Sequence, residues 1–243
     1  TGDYKGLELL NFYKAYRALV RAKVSLFSMP AEASAVQRAA TLRQYRNYAN
    51  LAESYSTIPS RFLTITHGVS AVGKSSVAMR LVESLGAIRL RSDVVRKRLF
   101  GEQTADNTIG QGIYSADASA TTYNKLHELA GIVLRAGFPV VIDATYLNRE
   151  QRDAAANVAE ATGVPCLILD CTAPDAVIEG WLAHRKSIGS DPSDATIEVV
   201  KAQQASREAL GADEILRSKR VETNNSKSLD TLIGDIRQRL PGL

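Results

Sequence analysis

Short apolar runs alternate with amphipathic stretches from residue 61 to the end of the chain. Apolar runs of about four or five residues are typical of strands buried on both faces of a parallel sheet. Apolar residues three and four positions apart predict amphipathic helices between those runs. The predicted strands are 62–66, 87–90, 139–143, 166–170 and 220–223, and the predicted helices are 74–85, 93–100, 118–136, 148–162, 174–186, 194–209 and 228–239. This alternation predicts an α/β fold whose parallel strands are joined by right-handed crossovers.

The first 60 residues have a purely helical pattern and form a separate predicted region, an α-helical N-terminal extension. Apolar and aromatic residues recur at helical spacing in 4–29, and an alanine-rich helix is predicted at 31–56. Ile58-Pro59-Ser60 is the predicted hinge into the second region, residues 61–243. Because two helices alone have little core, we expect residues 1–60 to pack on the second region or on a segment outside this chain.

A glycine-rich stretch follows the first predicted strand. Gly68, four further residues, Gly73, Lys74 and Ser75 match the phosphate-loop pattern G-x-x-x-x-G-K-[ST], and a predicted helix follows directly. Glycines let the backbone N–H groups converge on phosphate oxygens, and the helix N-terminus adds positive charge. The predicted nucleotide-binding residues are Gly68, Val69, Ser70, Ala71, Val72, Gly73, Lys74, Ser75 and Ser76. An ordinary turn does not need Gly-Lys-Ser at its end, so the sequence predicts nucleoside triphosphate binding, with Lys74 on the β- and γ-phosphates.

The residues after the other strands are the next candidates, because ligands of open α/β sheets bind outside the carboxyl ends of the strands. Asp93 follows the second predicted strand, where it either accepts the proton of a substrate hydroxyl or caps a helix. Arg96 lies one helical turn later and is a candidate contact for the substrate. The sequence therefore predicts an acceptor site beside the phosphate loop.

Asp143 closes the third predicted strand in the manner of a Walker B carboxylate, which together with Ser75 would hold Mg²⁺. Ala144 follows it instead of the Glu that many motor ATPases have, which argues against a mechanical ATPase. Thr145 and Arg149 are candidate acceptor contacts. The alternative for Arg149 is an exposed surface charge.

Turn-rich residues 187–194 follow the helix predicted at 174–186 and are typical of a lid that closes over bound phosphates. A lid arginine would stabilise the charge on the transferring phosphoryl group, and Arg185 is the candidate. The alternative is that Arg185 answers the dipole at a helix C-terminus. Residues 101–117 have no clear period, and we expect a functional loop there.

Composition excludes several classes of protein. Of the 243 residues, 45% are apolar and 23% are charged, which is typical of globular proteins. No apolar run reaches the roughly 20 residues that a membrane span needs. It has no secretory signal pattern, and Cys166 and Cys171 fit neither a metal site nor a disulfide framework, so we expect a cytoplasmic protein with two buried thiols. The net charge of +4 comes from the first 60 residues, where a solvated face explains it better than contact with nucleic acid.

Four sequence segments, in the order in which they follow one another along the chain, resemble motifs of the small P-loop kinases. These kinases are related to polynucleotide kinase, gluconate kinase, chloramphenicol phosphotransferase and zeta toxin. They are GVSAVGKSS at 68–76, RSDVVRKRLFG at 91–101, VVIDATYLNREQR at 140–152 and HRKSIGSDPSDA at 184–195. The resemblance implies a P-loop NTPase three-layer sandwich with a five-stranded parallel sheet in the order 2-3-1-4-5. It also implies Asp93 as the general base, Arg96 as an acceptor contact and Arg185 as the lid arginine. Trp181 and Ser75 depart from the usual pattern, in which Thr is commoner at the latter position.

A second resemblance concerns the helical extension. Residues 12–24 resemble the last helices of aminoglycoside-phosphotransferase-like domains, which precede a P-loop kinase domain in some bacterial two-part proteins. This resemblance implies a fused or associated phosphotransferase-like domain. The chain would then be the C-terminal portion of a longer protein.

Together these observations predict a kinase that uses ATP and Mg²⁺ to phosphorylate a hydroxyl of a small-molecule or nucleotide acceptor. Two alternatives stay open: a toxin-like kinase of nucleotide sugars or of nucleic-acid 5′ ends, and a nucleotide-sensing module with little turnover. The sequence has no Asn-Lys-x-Asp pattern for guanine and no Leu-Ser-Gly-Gly-Gln run. It therefore lacks the signatures of a GTPase switch and of a transporter ATPase.

Overall fold

The computed structural model describes residues 2–56, 60–101, 113, 115–188 and 196–240, with the backbone alone for 185–188. The chain divides into two compact units, Thr1–Pro59 and Ser60–Leu243. Most of the proposed hinge, most of the loop at 101–117, most of the lid and the side chain of Arg185 lie outside the described residues.

The first unit contains two helices, α1 (Leu7–Phe27) and α2 (Ala35–Ser54). Both are a few residues shorter than predicted, because the chain between them forms turns around Pro30 and α2 begins at a specific cap. The Ser34 hydroxyl accepts the N–H of Gln37 at 3.3 Å, and the Gln37 side chain accepts the N–H of Ser34 at 2.8 Å. This reciprocal capping box satisfies two N–H groups that the helix itself leaves without partners.

Small side chains form the buried positions of this unit. Within the described part of 1–59, the buried residues are Ala18, Ala22, Ala33 and Ala52. Large apolar side chains of α1 are exposed instead: Phe12 is 65% exposed and Phe27 is 81% exposed. The apolar periodicity of α1 therefore does not bury its aromatic residues.

The second unit is a five-stranded parallel sheet in the order β2-β3-β1-β4-β5. The strands are β1 (Leu63–His67), β2 (Ile88–Arg91), β3 (Val140–Asp143), β4 (Cys166–Thr172) and β5 (Ser218–Glu222). The helices are α3 (Lys74–Leu85), α4 (Ser92–Phe100), α5 (Ala116–Arg135), α6 (Arg149–Ala161), α7 (Asp175–Ile188), α8 (Ile197–Ser206), α9 (Ala212–Leu216) and α10 (Ser226–Arg239). The predicted fold class and strand order are both confirmed.

Alternation along the strands builds the layers. Leu167 and Leu169 of β4 belong to one apolar core together with residues of α3 and α10, such as Leu81 and Leu232. Ile168 lies between them in the sequence and therefore points to the opposite face, because successive strand side chains alternate. The helices α5 and α6 pack against each other and against strands of the same sheet. Helices thus cover the sheet in separate layers, as the resemblance implied.

Register brings the carboxyl ends of the strands together at one edge. Arg91 of β2 pairs with Asp143 of β3, and His67 of β1 pairs with Asp170 of β4. The residues that follow these strands therefore surround one opening, as expected for ligands of open α/β sheets.

The prediction of a helix at 194–209 was wrong at the C-terminal end of that helix. In the structure α8 stops at Ser206, and α9 was not predicted. Arg207 has an extended backbone, with ψ of 123°, and its guanidinium donates to Asp170 at 2.7 Å. The next N–H, that of Glu208, donates to the carbonyl of Leu147 at 3.0 Å. These tertiary contacts outweigh the local helical preference of this stretch.

Both cysteines are free thiols; Cys171 is buried and Cys166 is half-buried. Burial raises the pKa of Cys166 to about 11 and that of Cys171 to about 12, so both thiols stay neutral. None of the helices in the described ranges has the length and apolarity that crossing a membrane requires.

Candidate active site

The phosphate loop joins β1 to α3, and its two glycines are required by geometry. Gly68 has φ of +134° and Gly73 has φ of +87°, which side chains disfavour. A Cβ on Gly68 would lie 2.6 Å from the carbonyl oxygen of Cys171, and one on Gly73 would lie 2.9 Å from the Cβ of Thr223. Any larger residue at either position would push the loop off its neighbouring strands.

Neighbouring segments hold the loop in place. Thr145 accepts the N–H of Gly68 through its carbonyl at 3.0 Å. The hydroxyl of Thr223 donates to the carbonyl of Val72 at 2.6 Å. Thr223 lies just after β5, so the loop is fixed from both sides of β1. A loop held this way is organised before any ligand arrives.

Lys74 is the first residue of α3 and is 8% exposed. Its ammonium donates to the carbonyl of Val69 at 2.5 Å, so the side chain folds back over the loop. The opening that the loop faces therefore combines loop N–H groups, the N-terminus of α3 and a buried cation. This combination is suited to an anion such as a phosphate group.

Asp143, at the end of β3, meets both Ser75 and Arg89. Its Oδ2 accepts from the Ser75 hydroxyl at 2.9 Å and from Nε of Arg89 at 3.0 Å, and Nη2 of Arg89 also donates to it. Asp143 is 6% exposed, and this set of donors compensates for the cost of burying its charge. Arg89 was not predicted as a site residue.

Ser75 and Asp143 fit a Mg²⁺ ion that arrives with phosphates. A hydroxyl and a carboxylate are the oxygen ligands that Mg²⁺ takes, and the ion keeps several water or phosphate ligands besides. Among the described residues, no group of three or more His, Cys, Asp or Glu side chains forms a metal cage. Two protein oxygen ligands leave the remaining positions of such an ion to water or phosphate.

Asp93 lines the same cleft as Lys74, Ser75, Asp143 and Thr145. It lies in the first turn of α4, whose N-cap is Arg91. Burial raises the pKa of Asp93, while the nearby cations Arg91 and Arg96 oppose that rise. A carboxyl group with a raised pKa in a phosphate-binding cleft is a candidate general base.

The structure brings some of the other predicted contacts to the cleft and leaves others away from it. Thr145 lines the cleft, and Arg96 is 9% exposed and lies close enough to Asp93 to affect its pKa. Arg149 is not among the residues that line the cleft; its guanidinium pairs with Asp213 at 2.7 Å. The surface alternative describes Arg149 better than the acceptor role does.

A buried aromatic cluster lies behind Thr145. The hydroxyl of Tyr123 contacts the Thr145 hydroxyl at 3.0 Å and accepts the N–H of Tyr146 at 3.1 Å. Tyr146 has φ of +47°, and its hydroxyl contacts Nε2 of His127 at 3.1 Å. Burial lowers the pKa of His127 to about 4, so its ring is neutral at physiological pH. This cluster fixes the turn after β3 and hence the position of Thr145.

Sequence reasoning missed three residues that hold residues of the cleft in place: Arg89, Tyr123 and Gln203. Gln203 of α8 accepts the N–H of Ser70 in the phosphate loop at 2.7 Å. A lone Arg in a strand, a Tyr in an amphipathic helix and a Gln in a polar helix carry no local motif. They act through contacts made only when distant segments pack together.

The fold and the phosphate loop define this second unit as a P-loop α/β domain. A model for an AAA domain family, AAA_33, matches residues 63–210, and the chain belongs to that family. Solved structures share the fold at low identity. A sugar kinase from Janibacter has a TM-score of 0.54 at 19% identity, covering 75% of this chain and 98% of its own. The APS kinase CysC of Mycobacterium tuberculosis, solved with AMPPNP and APS, has a TM-score of 0.51 at 21% identity, covering 73% of this chain and 98% of its own.

Curated relatives occur in mycobacteria. The uncharacterized protein Rv2004c of Mycobacterium tuberculosis is 30% identical over 213 residues, which is 84% of this chain and 40% of that protein. The uncharacterized protein Mb2027c of Mycobacterium bovis matches to the same extent. The chain thus spans less than half the length of these relatives.

Proposed function

We propose that this protein is a kinase that uses ATP and Mg²⁺ to transfer the γ-phosphoryl group to a hydroxyl of a small molecule or nucleotide. The observation that carries the proposal is one cleft that joins the phosphate loop and Lys74 to Asp93. A phosphate loop alone suits many nucleotide-binding proteins. A half-buried carboxylate with a raised pKa beside the loop can serve as the base for phosphoryl transfer to a hydroxyl.

The triphosphate would lie along the phosphate loop. Its oxygens would accept from the loop N–H groups and meet the N-terminus of α3, while Lys74 exchanges the carbonyl of Val69 for the β- and γ-phosphates. Ser75 and Asp143 would hold Mg²⁺, which would supply positive charge against the negative charge of the phosphates. Arg89 would keep Asp143 oriented.

Asp93 would act as the base of the transfer. The acceptor oxygen forms a bond to the γ-phosphorus, and its proton passes to the Asp93 carboxylate. The bond from that phosphorus to the bridging oxygen breaks, and its electrons leave on ADP. Thr145 and Arg96 would contact the acceptor, and Arg185 would stabilise the transferring group.

A metabolite screen with γ-labelled ATP tests this proposal. We expect a new labelled product from the wild-type protein and nearly none from Lys74→Ala, because the ammonium that neutralises the phosphates is lost. ATP binding with no labelled product from a broad set of alcohols, sugars and nucleotides would favour the nucleotide-sensing alternative. A labelled nucleic-acid end, formed with a steep salt dependence, would favour an end kinase.

We also propose that a phosphotransferase-like domain accompanies this unit in the natural protein. The proposed location of the protein is the cytoplasm. The proposal rests on the resemblance of 12–24, the exposed aromatics of α1 and the greater length of the mycobacterial relatives. An immunoblot of source cells against residues 60–243 tests it. A band well above the 26.3 kDa of this chain is expected for a fused domain, and a single band at that mass would contradict fusion.

A further inference from the structure

The hydrogen bond between Tyr123 and Thr145 has a direction that the fold decides. Their hydroxyl oxygens lie 3.0 Å apart, a distance at which either group can donate. Tyr123 also accepts the backbone N–H of Tyr146 at 3.1 Å, and a backbone N–H can only donate. Burial raises the pKa of Tyr123, so its hydroxyl keeps a proton, and a buried O–H needs an acceptor. Among the described residues, the Thr145 oxygen is that acceptor.

Thr145 therefore receives the hydrogen of its neighbour and keeps its own to donate. In the part of the chain that the structure describes, the bond to Tyr123 is the one hydrogen bond that the Thr145 hydroxyl makes. Thr145 is half-buried and lines the same cleft as Asp93. The series of bonds that begins at the Tyr146 N–H thus ends in a hydrogen that is available to a ligand in the cleft.

Positive charge lies around Asp93 in this cleft. Arg91 lines the cleft, its side chain is 25% exposed, and its Nη2 lies 3.8 Å from Oδ2 of Asp93. Arg96 is 9% exposed and lies close enough to Asp93 and Tyr123 to affect the pKa of both. A guanidinium has N–H donors and no acceptor, and its fork matches carboxylate and phosphate groups. Two cations and a hydroxyl donor near Asp93 suit an oxyanion.

We propose that the acceptor is a hydroxyl compound that also carries an oxyanion, a phosphate or carboxylate group, and that Thr145 and Arg91 bind this group. The acceptor hydroxyl then lies at Asp93. Tyr123 is a positioning residue: it is not among the residues that line the cleft, but it fixes the Thr145 hydroxyl as a donor. The inference rests on the proposed kinase function and names the class of its acceptor.

Product assays with γ-labelled ATP and matched pairs of acceptors test this class. Each pair is an alcohol without and with an anionic group: glycerol and glycerol 3-phosphate, ribose and ribose 5-phosphate, glucose and gluconate. In the pairs that become labelled, kcat/KM should be about 10-fold or more higher for the anionic member, the size of one charge-assisted hydrogen bond. Neutral members that react equally well or better would overturn the inference.

Two variants test the residues with the anionic acceptor of such a pair. Thr145→Val removes the donor at nearly constant size, so the KM of that acceptor should rise by about 10-fold while the KM of ATP stays within about twofold of wild type. Tyr123→Phe keeps the ring and should raise the KM of the acceptor by about 2- to 10-fold, the effect of one neutral hydrogen bond. It should add nothing in the Thr145→Val background, because Tyr123 acts only through Thr145.

Thr122→Val is the matched control, because Thr122 precedes Tyr123 on α5 and its buried hydroxyl donates to the carbonyl of Ala118 at 2.7 Å. It should leave the KM of the acceptor within about twofold of wild type. An effect of Tyr123→Phe that persists in the Thr145→Val background, or a rise in the KM of ATP in place of that of the acceptor, would overturn the inference. A wild-type protein that labels no acceptor would instead overturn the proposed function itself.

Discussion

At the scale of single residues, the two carboxyl groups of the cleft, Asp143 and Asp93, have different surroundings. Asp143 accepts hydrogen bonds from the Ser75 hydroxyl at 2.9 Å and from Nε of Arg89 at 3.0 Å. Burial raises the pKa of Asp93, although Arg91 and Arg96 act against the rise. The arrangement gives one carboxylate suited to orienting a metal and a second suited to exchanging a proton.

Asp93→Asn tests the role of the base. Turnover should fall by about 10²- to 10⁴-fold, the usual contribution of a general base, because the amide cannot accept the acceptor proton. Nucleotide affinity should stay near wild type, because in the proposed mechanism Asp93 contacts the acceptor hydroxyl and not the nucleotide. A product assay and calorimetry separate the two effects, and unchanged turnover would remove Asp93 from the mechanism.

The raised pKa of Asp93 also predicts a pH dependence. Only the ionised carboxylate accepts a proton, so kcat/KM should fall as the pH drops through the pKa of Asp93. Because burial raises this pKa, the acid limb should lie above the ordinary value of 3.8. The pH profile of the wild type measures the limb, and Asp93→Asn should lack it. A limb at the ordinary Asp position would contradict a raised pKa for Asp93.

At the scale of elements, a buried ion pair ties α6 to α9. Nε of Arg152 contacts Oε1 of Glu214 at 2.6 Å, and both side chains are fully buried. Nη1 of Arg152 also donates to the carbonyls of Tyr146 and Leu147, at 3.1 and 3.0 Å. Burial alone would raise the pKa of Glu214, but Arg152 and the N–H of Gly211 outweigh it and lower that pKa. One arginine thus secures the turn after β3 and the chain that leads away from α8.

Arg152→Met should destabilise the protein by about 3–5 kcal/mol, because it leaves the Glu214 carboxylate buried without its partner. Urea unfolding measures the loss. Arg80→Met is the control: this arginine pairs with Asp230 at 3.3 Å, but it is 40% exposed. The control should cost at most about 1 kcal/mol. Equal losses in the two variants would mean that the buried pair contributes no more than a surface pair.

At the scale of the whole molecule, folding and nucleotide binding are linked. The phosphate loop contacts Thr145 after β3, Cys171 of β4 and Thr223 after β5. It therefore forms only when the sheet of the second unit is complete. A ligand that binds this loop should therefore stabilise the native state of that unit and not the unfolded chain.

We expect MgAMPPNP to raise the thermal unfolding midpoint of the wild-type protein. The stabilisation should approach about 2.7 kcal/mol when the ligand is at 100 times its Kd. Differential scanning calorimetry measures it, and hydrogen exchange should slow most at residues 68–76. Lys74→Ala is the control and should shift far less at the same concentration. An unfolding midpoint that does not respond to the nucleotide would mean that the native protein does not bind it in preference to the unfolded chain.

The sequence alone determined the features that short stretches encode. The strands and most helices follow from apolar periodicity, and Gly68, Gly73, Lys74 and Asp143 lie where their motifs predicted them. These signals are local, because a strand, a turn and a helix start each depend on neighbouring residues. The same locality explains the error at 194–209, where the pattern continued but the helix did not.

Only the tertiary structure decided which side chains meet. Arg89 reaches Asp143 because two parallel strands pair in one register, and Gln203 reaches Ser70 because α8 is anchored beside β1. Tertiary packing likewise decides that Arg149 pairs with Asp213 and does not line the cleft. Such contacts join residues far apart in the chain, and no local period or motif records them. They arise from packing and register, which are properties of the whole sheet and its helices.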